Sequence, residues 1–311
     1  MIEQICCVCH RPVGPDAPRL GGRFYCEAHY AKVTRNRGSI WTSGVVQIVG
    51  LLVFVGLVAL IVSRTGLALD GAALVWAGIV LAVVPALLWL AFFYQRDRLE
   101  PEPKQFVLGV FLLGALLASA VGMPVVRDLF QVQKWMSRSV AANILGSILV
   151  VGFVQEFLKY AAVRYSVYLS AEFDERIDGV IYGTAAGLGF ATMLNIHYVT
   201  ANAGVDLGVG VVRIAVTALA QASFAGISGY FLGRAKFEQE PVWWLPLGVT
   251  IAAALNGLFT FVRAEIVTVG LSYKPVYGLV LATAVALVTF IALNVLMRRA
   301  NRLTLTAGSA G

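Results

Sequence analysis

Two groups of residues have types and spacings that chemistry can use. The first is Cys6-x2-Cys9, followed after 16 residues by Cys26-x2-His29. Four soft donors in two close pairs suit a tetrahedral Zn2+ ion, with each pair on a tight knuckle. Cys7 and His10 are spare donors beside the first pair. The alternative is a disulfide-bonded tail, which requires an oxidising side of a membrane. The second group is Gln155, Glu156 and Lys159, in the stretch FVQEFLKYAAVRY. This stretch ends an apolar run that starts near Ala141, where a charged side chain costs about 3 kcal/mol or more. Glu156 and Lys159 are three residues apart, so on a helix they share a face and neutralise each other. Gln155 lies about 100° around the helix from Glu156.

Further polar residues recur in the next three apolar runs. Asp178 starts one, and Asn195 and His197 lie towards its far end; Gln221 and Ser223 lie in the next, and Asn256 in the one after. Polar groups in lipid turn inward and find partners. Depth tests whether they share one site. A fourth helix ending near Tyr165 puts Glu156 about 14 Å from the inner boundary, and Asn195 about 27 Å in, at 1.5 Å per residue. The two meet only if that helix runs on through YSVYLS.

Long apolar runs must position these side chains. Hydrophobic residues make up 59% of the 311-residue chain, charged residues only 13%, and mean hydropathy is +0.80. A soluble core cannot hide that much apolar surface, so the class is an all-α polytopic membrane protein. Eight spans are predicted, at 43–63, 71–93, 105–126, 140–164, 177–200, 210–233, 242–262 and 276–297. Each is near the ~20 residues a helix needs to cross ~30 Å of hydrocarbon. The net charge of +7 does not point to nucleic acid, because the basic residues flank the apolar runs. Lys and Arg gather on alternate segments, including Lys32, Arg96, Lys104, Arg234 and Arg298, and this excess places both termini in the cytosol of a bacterial-type cell membrane. The Cys group then lies in a reducing compartment, which favours zinc over disulfides. The connection RDLFQVQKWMSR reads as an amphipathic helix on the outer surface. No secretory signal is expected, since the first forty residues are polar and hold all four Cys. The organisation is a cytosolic zinc-knuckle module at 1–38, a helical membrane domain at 39–300 and a flexible tail at 301–311. Gly183 with Gly187, and Gly229 with Gly233, have the four-residue spacing that brings helices close in lipid.

The N-terminal stretch resembles the second half of a LIM zinc finger, down to FYCEAHY. In the membrane region, DRLEPEPK, QEFLK, EFDERIDGVIYGTAAGLGFATMLNIHY, QASFAGISGYFLGRA and LNGLFTF resemble the PrsW family of intramembrane proteases. That family is similar in its active site to the CAAX prenyl endopeptidases. The resemblance implies a Glu-Glu-x-x-Lys motif, a Glu-Asn pair in the next helix and a His in each of the two helices after it. Carboxylates and imidazoles would activate a water for peptide hydrolysis, with or without a metal. Here Glu156, Lys159 and Asn195 match, whereas Gln155, Leu194, Gln221 and Asn256 stand where Glu, Glu, His and His are expected. An amide is neither a useful base nor a good metal ligand. The expectation is a protease fold with impaired or absent catalysis, holding a membrane segment or lipid in the cleft. Its partners are membrane lipids, a membrane-protein substrate or partner, and a protein docked on the zinc module. An alternative is an active peptidase using Glu156, with His197 beside it because it follows Leu194 by three residues. A transporter is a third reading, but no broken helix pair recurs in matching halves.

Overall fold

A computed structural model describes residues 4–34, 71–96, 99–204, 209–268 and 275–307, with isolated positions between 49 and 64. The N-terminal module holds a hairpin of β1 (Arg19–Leu20) and β2 (Arg23–Phe24), then α1 (Glu27–Thr34). A bridge between Ile5 and Pro12 closes the first knuckle. The remaining elements are helices: α2 (Gly71–Tyr94), α3 (Lys104–Leu117, continued by π-helical turns), α4 (Val140–Ser166), α5 (Asp178–Ala201), α6 (Val209–Phe237), α7 (Trp244–Thr268) and α8 (Pro275–Ala307). Among the described residues seven helices are long and apolar enough to cross a membrane. They coincide with seven of the eight expected spans. The eighth, 43–63, lies for the most part outside the described residues. Helix α8 continues to Ala307, so 301–307 of the expected tail is helical.

Helices α5 and α6 form the centre of the bundle. Their most apolar stretches are 83% and 89% buried, against 28–44% in the other five spans. This explains why they are rich in small residues: packed on all sides, they leave little room for bulk. The other helices surround them and turn Leu and Val outward to lipid. An aromatic cluster of Trp89, Phe92, Phe93 and Phe290 ties α2 to α8.

The connection 127–138 is not one amphipathic helix. It is a π-helical turn (Val125–Leu129), a left-handed Gln131 at φ 46°, and two short 3-10 turns. Side chains there bond to main-chain carbonyls in place of a helical ladder. Trp135 Nε1 donates to Phe130 O at 2.9 Å, and Gln133 Nε2 donates to Arg127 O at 3.0 Å.

Helix α4 carries a π-helical turn at Ser147–Gly152, immediately before Gln155 and Glu156. Such turns redirect the side chains that follow them and often mark functional positions. Here the turn lies flush against α7. A Cβ on Gly152 would stand 2.2 Å from the Ala253 carbonyl oxygen, and one on Gly257 would stand 2.4 Å from the Ile148 Cα. That close approach brings Asn256 to the face of α4 that bears Glu156.

Candidate functional site

Five polar side chains from three helices close into one buried network. Lys159 Nζ donates to Glu156 Oε1 and, at 2.5 Å, to Gln221 Oε1. Asn256 Nδ2 donates to Glu156 Oε1 at 2.7 Å and to Gln155 Oε1 at 3.0 Å. Gln221 Nε2 donates to Asn256 Oδ1 at 3.1 Å and to Gln155 Oε1 at 3.4 Å. Glu156 and Asn256 have no exposure at all. The Phe190 ring lies 5.4 Å from the ammonium and closes that side. A carboxylate, an ammonium and three amides thus satisfy one another where no water competes. One atom is left over: Glu156 Oε2 is buried with no hydrogen-bond partner among the described residues.

The other expected positions do not join this network. Asn195 Nδ2 donates to Ile214 O at 3.1 Å, and Leu194 is half-buried on the same turn. Helix α4 ends at Ser166, so the overrun needed to bring Asn195 level with Glu156 is absent. His197 is exposed, while Glu156 is fully enclosed. His197 therefore stands apart from the network, because its side of α5 faces outward while Asn195 and Val199 on the same stretch are buried. Ser223 bonds to the Leu219 carbonyl within its own helix.

The N-terminal donors do converge. The ligand atoms of Cys6, Cys9, Cys26 and His29 all lie within 4.8 Å of one another, with Cys26 Sγ 3.1 Å from His29 Nδ1. Two sulfurs bound to one Zn2+ at ~2.3 Å lie about 3.8 Å apart, so the set fits the ion. Burial opposes ionisation of Cys6, yet main-chain N–H groups at Cys26, Cys9 and Val8 draw its thiol down to about 6. The main-chain donors thus favour the thiolate at Cys6, while Cys9 beside it is raised, against a main-chain bond at Arg11, by burial and by Cys6 and Cys26. Cys7 goes the other way, pushed up to about 12 by burial and by Glu100. Cys7 and His10 stand outside the ligand group and line a cavity on its far side.

The module is seated on the membrane domain through contacts that residue spacing does not reveal. Arg23 reaches Glu100 at 3.0 Å, Asp174 at 3.0 Å and the buried Glu175. Tyr25 is fully buried, and its hydroxyl donates to Leu99 O at 3.2 Å. The hairpin turn at Gly21 lies against Thr304 of α8. No sequence signal joins Arg23 to carboxylates more than seventy residues away; the loops that receive it are those carrying DRLEPEPK and EFDER.

Comparison with known proteins agrees with this architecture. Residues 102–294, more than half of the chain, match the PrsW family intramembrane metalloprotease. The chain belongs to the PrsW family. It is 34% identical to Protease PrsW of Halalkalibacterium halodurans over 179 residues, covering 57% of this chain and 79% of that protein. It is 33% identical to Protease PrsW of Bacillus subtilis over 186 residues, covering 58% and 79%. No solved structure matches the chain. The match begins at residue 102, so the Cys/His module lies outside it.

A PrsW metalloprotease implies a metal in the membrane, and the membrane cluster does not fit one. Its donors are one carboxylate and three amide oxygens, and amide oxygens are weak ligands for a catalytic first-row metal. The Lys159 ammonium already lies between Glu156 and Gln221, where it would repel a second cation. Among the described residues, Cys6, Cys9, Cys26 and His29 are the only His, Cys, Asp or Glu set placed to hold an ion.

Proposed function

We propose that this PrsW-family membrane protein has lost or nearly lost proteolysis and retains the family's helical frame to hold a membrane segment or lipid. The observation that carries this reading is the closed network of Gln155, Glu156, Lys159, Gln221 and Asn256. Amides preserve the hydrogen bonds between α4, α6 and α7 while supplying no base and no metal ligand. The module at the N-terminus binds one Zn2+, and both termini face the cytosol. Membrane lipids and a membrane-protein substrate or partner are what this frame suits; a protein partner docks at the module.

A peptidase using Glu156 is the competing reading, because Glu156 Oε2 is a buried carboxylate oxygen with an open lone pair. One assay separates the two. The full chain is reconstituted with a membrane peptide that the Bacillus subtilis protease cleaves. Photo-crosslinking to the peptide with no cleavage above the Glu156→Gln background is the expected result. Cleavage that Glu156→Gln abolishes would overturn the proposal.

A further inference from the structure

The module does not fold by its core. Within residues 4–34 only Cys6 and Tyr25 are buried, and the Tyr25 hydroxyl is bonded to Leu99 of the membrane domain, outside the module. Domains below ~40 residues need a metal or a disulfide to hold shape. The Cys here are not paired in disulfides. Ligation would therefore supply the fold, and the ligands sit where they control docking. Tyr25 directly precedes Cys26, Arg23 lies three residues before it, and Cys7 N bonds to Phe24 O at 3.0 Å, joining the first knuckle to β2.

The contact that results is charged and localised. Arg23 draws together the loop between α2 and α3, through Glu100, and the loop between α4 and α5, through Asp174 and Glu175. Behind this clamp the seam is hollow: a cavity of about 410 Å3 separates Cys7 and His10 from Glu102, Lys104 and Glu172. A seam held by Arg23, by Tyr25 and by the Gly21 turn against Thr304, with a cavity beside them, can open without tearing a core.

The second loop leads to the buried cluster. Asp178, the first residue of α5, accepts from the main-chain N–H of Asp174 at 2.7 Å and of Glu175 at 2.5 Å. Nine residues on, α5 lies so close to α6 that a Cβ on Gly187 would stand 2.4 Å from the Gln221 carbonyl oxygen. The same loop is held independently from α6, where Lys236 Nζ donates to Tyr168 O and Phe173 O, each at 2.6 Å. Releasing Arg23 would thus loosen the loops and leave the bundle intact.

We propose that the Cys/His module is a metal-dependent latch: metal ligation presents Arg23 and Tyr25 to Leu99, Glu100, Asp174 and Glu175, and metal loss frees the two loops at that end of the membrane domain. The test is hydrogen exchange on the full chain in detergent, with metal content measured in parallel. Chelation should speed exchange in 99–103 and 171–177 by about tenfold or more, and added Zn2+ should reverse it. Arg23→Glu should give the same release while one zinc stays bound, and the swap Arg23→Glu with Glu175→Arg should restore protection. The proposal is overturned if chelation affects only 4–34, if Arg23→Glu leaves both loops protected, or if the chain takes up no zinc. None of those results bears on the peptide-cleavage assay, so this inference and the proposed function fail separately. Should Arg23→Glu not fold, the chelation arm needs no variant and still decides.

Discussion

Charge is buried in two regions of this protein, by opposite means. In the membrane, Glu156 and Lys159 are one helical turn apart, and the amides of α6 and α7 complete their shell. At the module, Arg23 finds carboxylates from two loops that lie far along the chain. The first pair forms whenever α4 forms. The second exists only while a separate, metal-dependent unit is folded and docked. Where water is absent, compensation must be permanent, because an unpaired charge costs several kcal/mol. At the module Arg23, Glu100 and Asp174 keep partial access to water, so the contact can be made and broken.

The largest effect should come from removing the metal. Structural zinc contributes on the order of 10 kcal/mol to small modules of this kind. Chelation is expected to abolish the ordered amide NMR signals of 4–34 and leave the helical circular dichroism of the bundle unchanged. Loss of bundle helicity would break the division between the two regions.

Next comes the membrane pair. Lys159→Met leaves Glu156 buried without its cation and should cost about 3–5 kcal/mol, read as a fall in midpoint of denaturant unfolding in detergent. Adding Glu156→Gln should recover most of that loss. A double variant no more stable than the single one would mean that the pair is not self-contained.

Gly152→Ala asks whether the cluster depends on helix proximity. Its Cβ would meet the Ala253 carbonyl, and the expected cost is about 1–3 kcal/mol, because α4 and α7 must part. A neutral result would show that Asn256 reaches Glu156 without the close approach.

Rising pH should act at the seam between the module and the membrane domain. Glu175 is pushed up to about 8, by burial first, against the pull of Arg23. Glu100 is pushed up to about 7, by burial and then by Asp174. Cys7, Tyr25, Glu172 and Asp178 also face this seam through the charges they place on it. Both carboxyls are raised in the docked state above their free value of 4.5, so docking takes up protons. While the metal stays bound, the stability these two carboxyls contribute is lost as pH rises through 7 to 8. With zinc content held constant, exchange of 171–177, corrected for its intrinsic rate, should rise from pH 6 to pH 8.5. A flat profile would leave Arg23 as the sole determinant.

The smallest effect is His197→Ala, expected within about 0.5 kcal/mol and without change in peptide crosslinking, since the side chain is exposed and apart from the cluster. A loss of crosslinking would bring α5's outer end back into the site.

By itself the sequence determined the class of the protein and most of its chemical groups. Apolar runs of about twenty residues admit only membrane helices, because backbone polar groups in lipid must be satisfied within the segment. The pairing of Glu156 with Lys159 follows from helical periodicity, and the Cys and His spacing from knuckle geometry; both are local rules. Depth along a helix is nearly local too, and it foresaw that Asn195 meets Glu156 only if α4 overruns. Tertiary structure decided what no local rule reaches: that Gln221 and Asn256 share one network with Gln155, that His197 faces outward, and that the module is seated on the membrane domain. These depend on how helices rotate and approach one another, set by contacts such as Gly152 against Ala253 and Gly187 against Gln221. Packing of that kind joins residues more than a hundred positions apart, and sequence spacing carries no record of it.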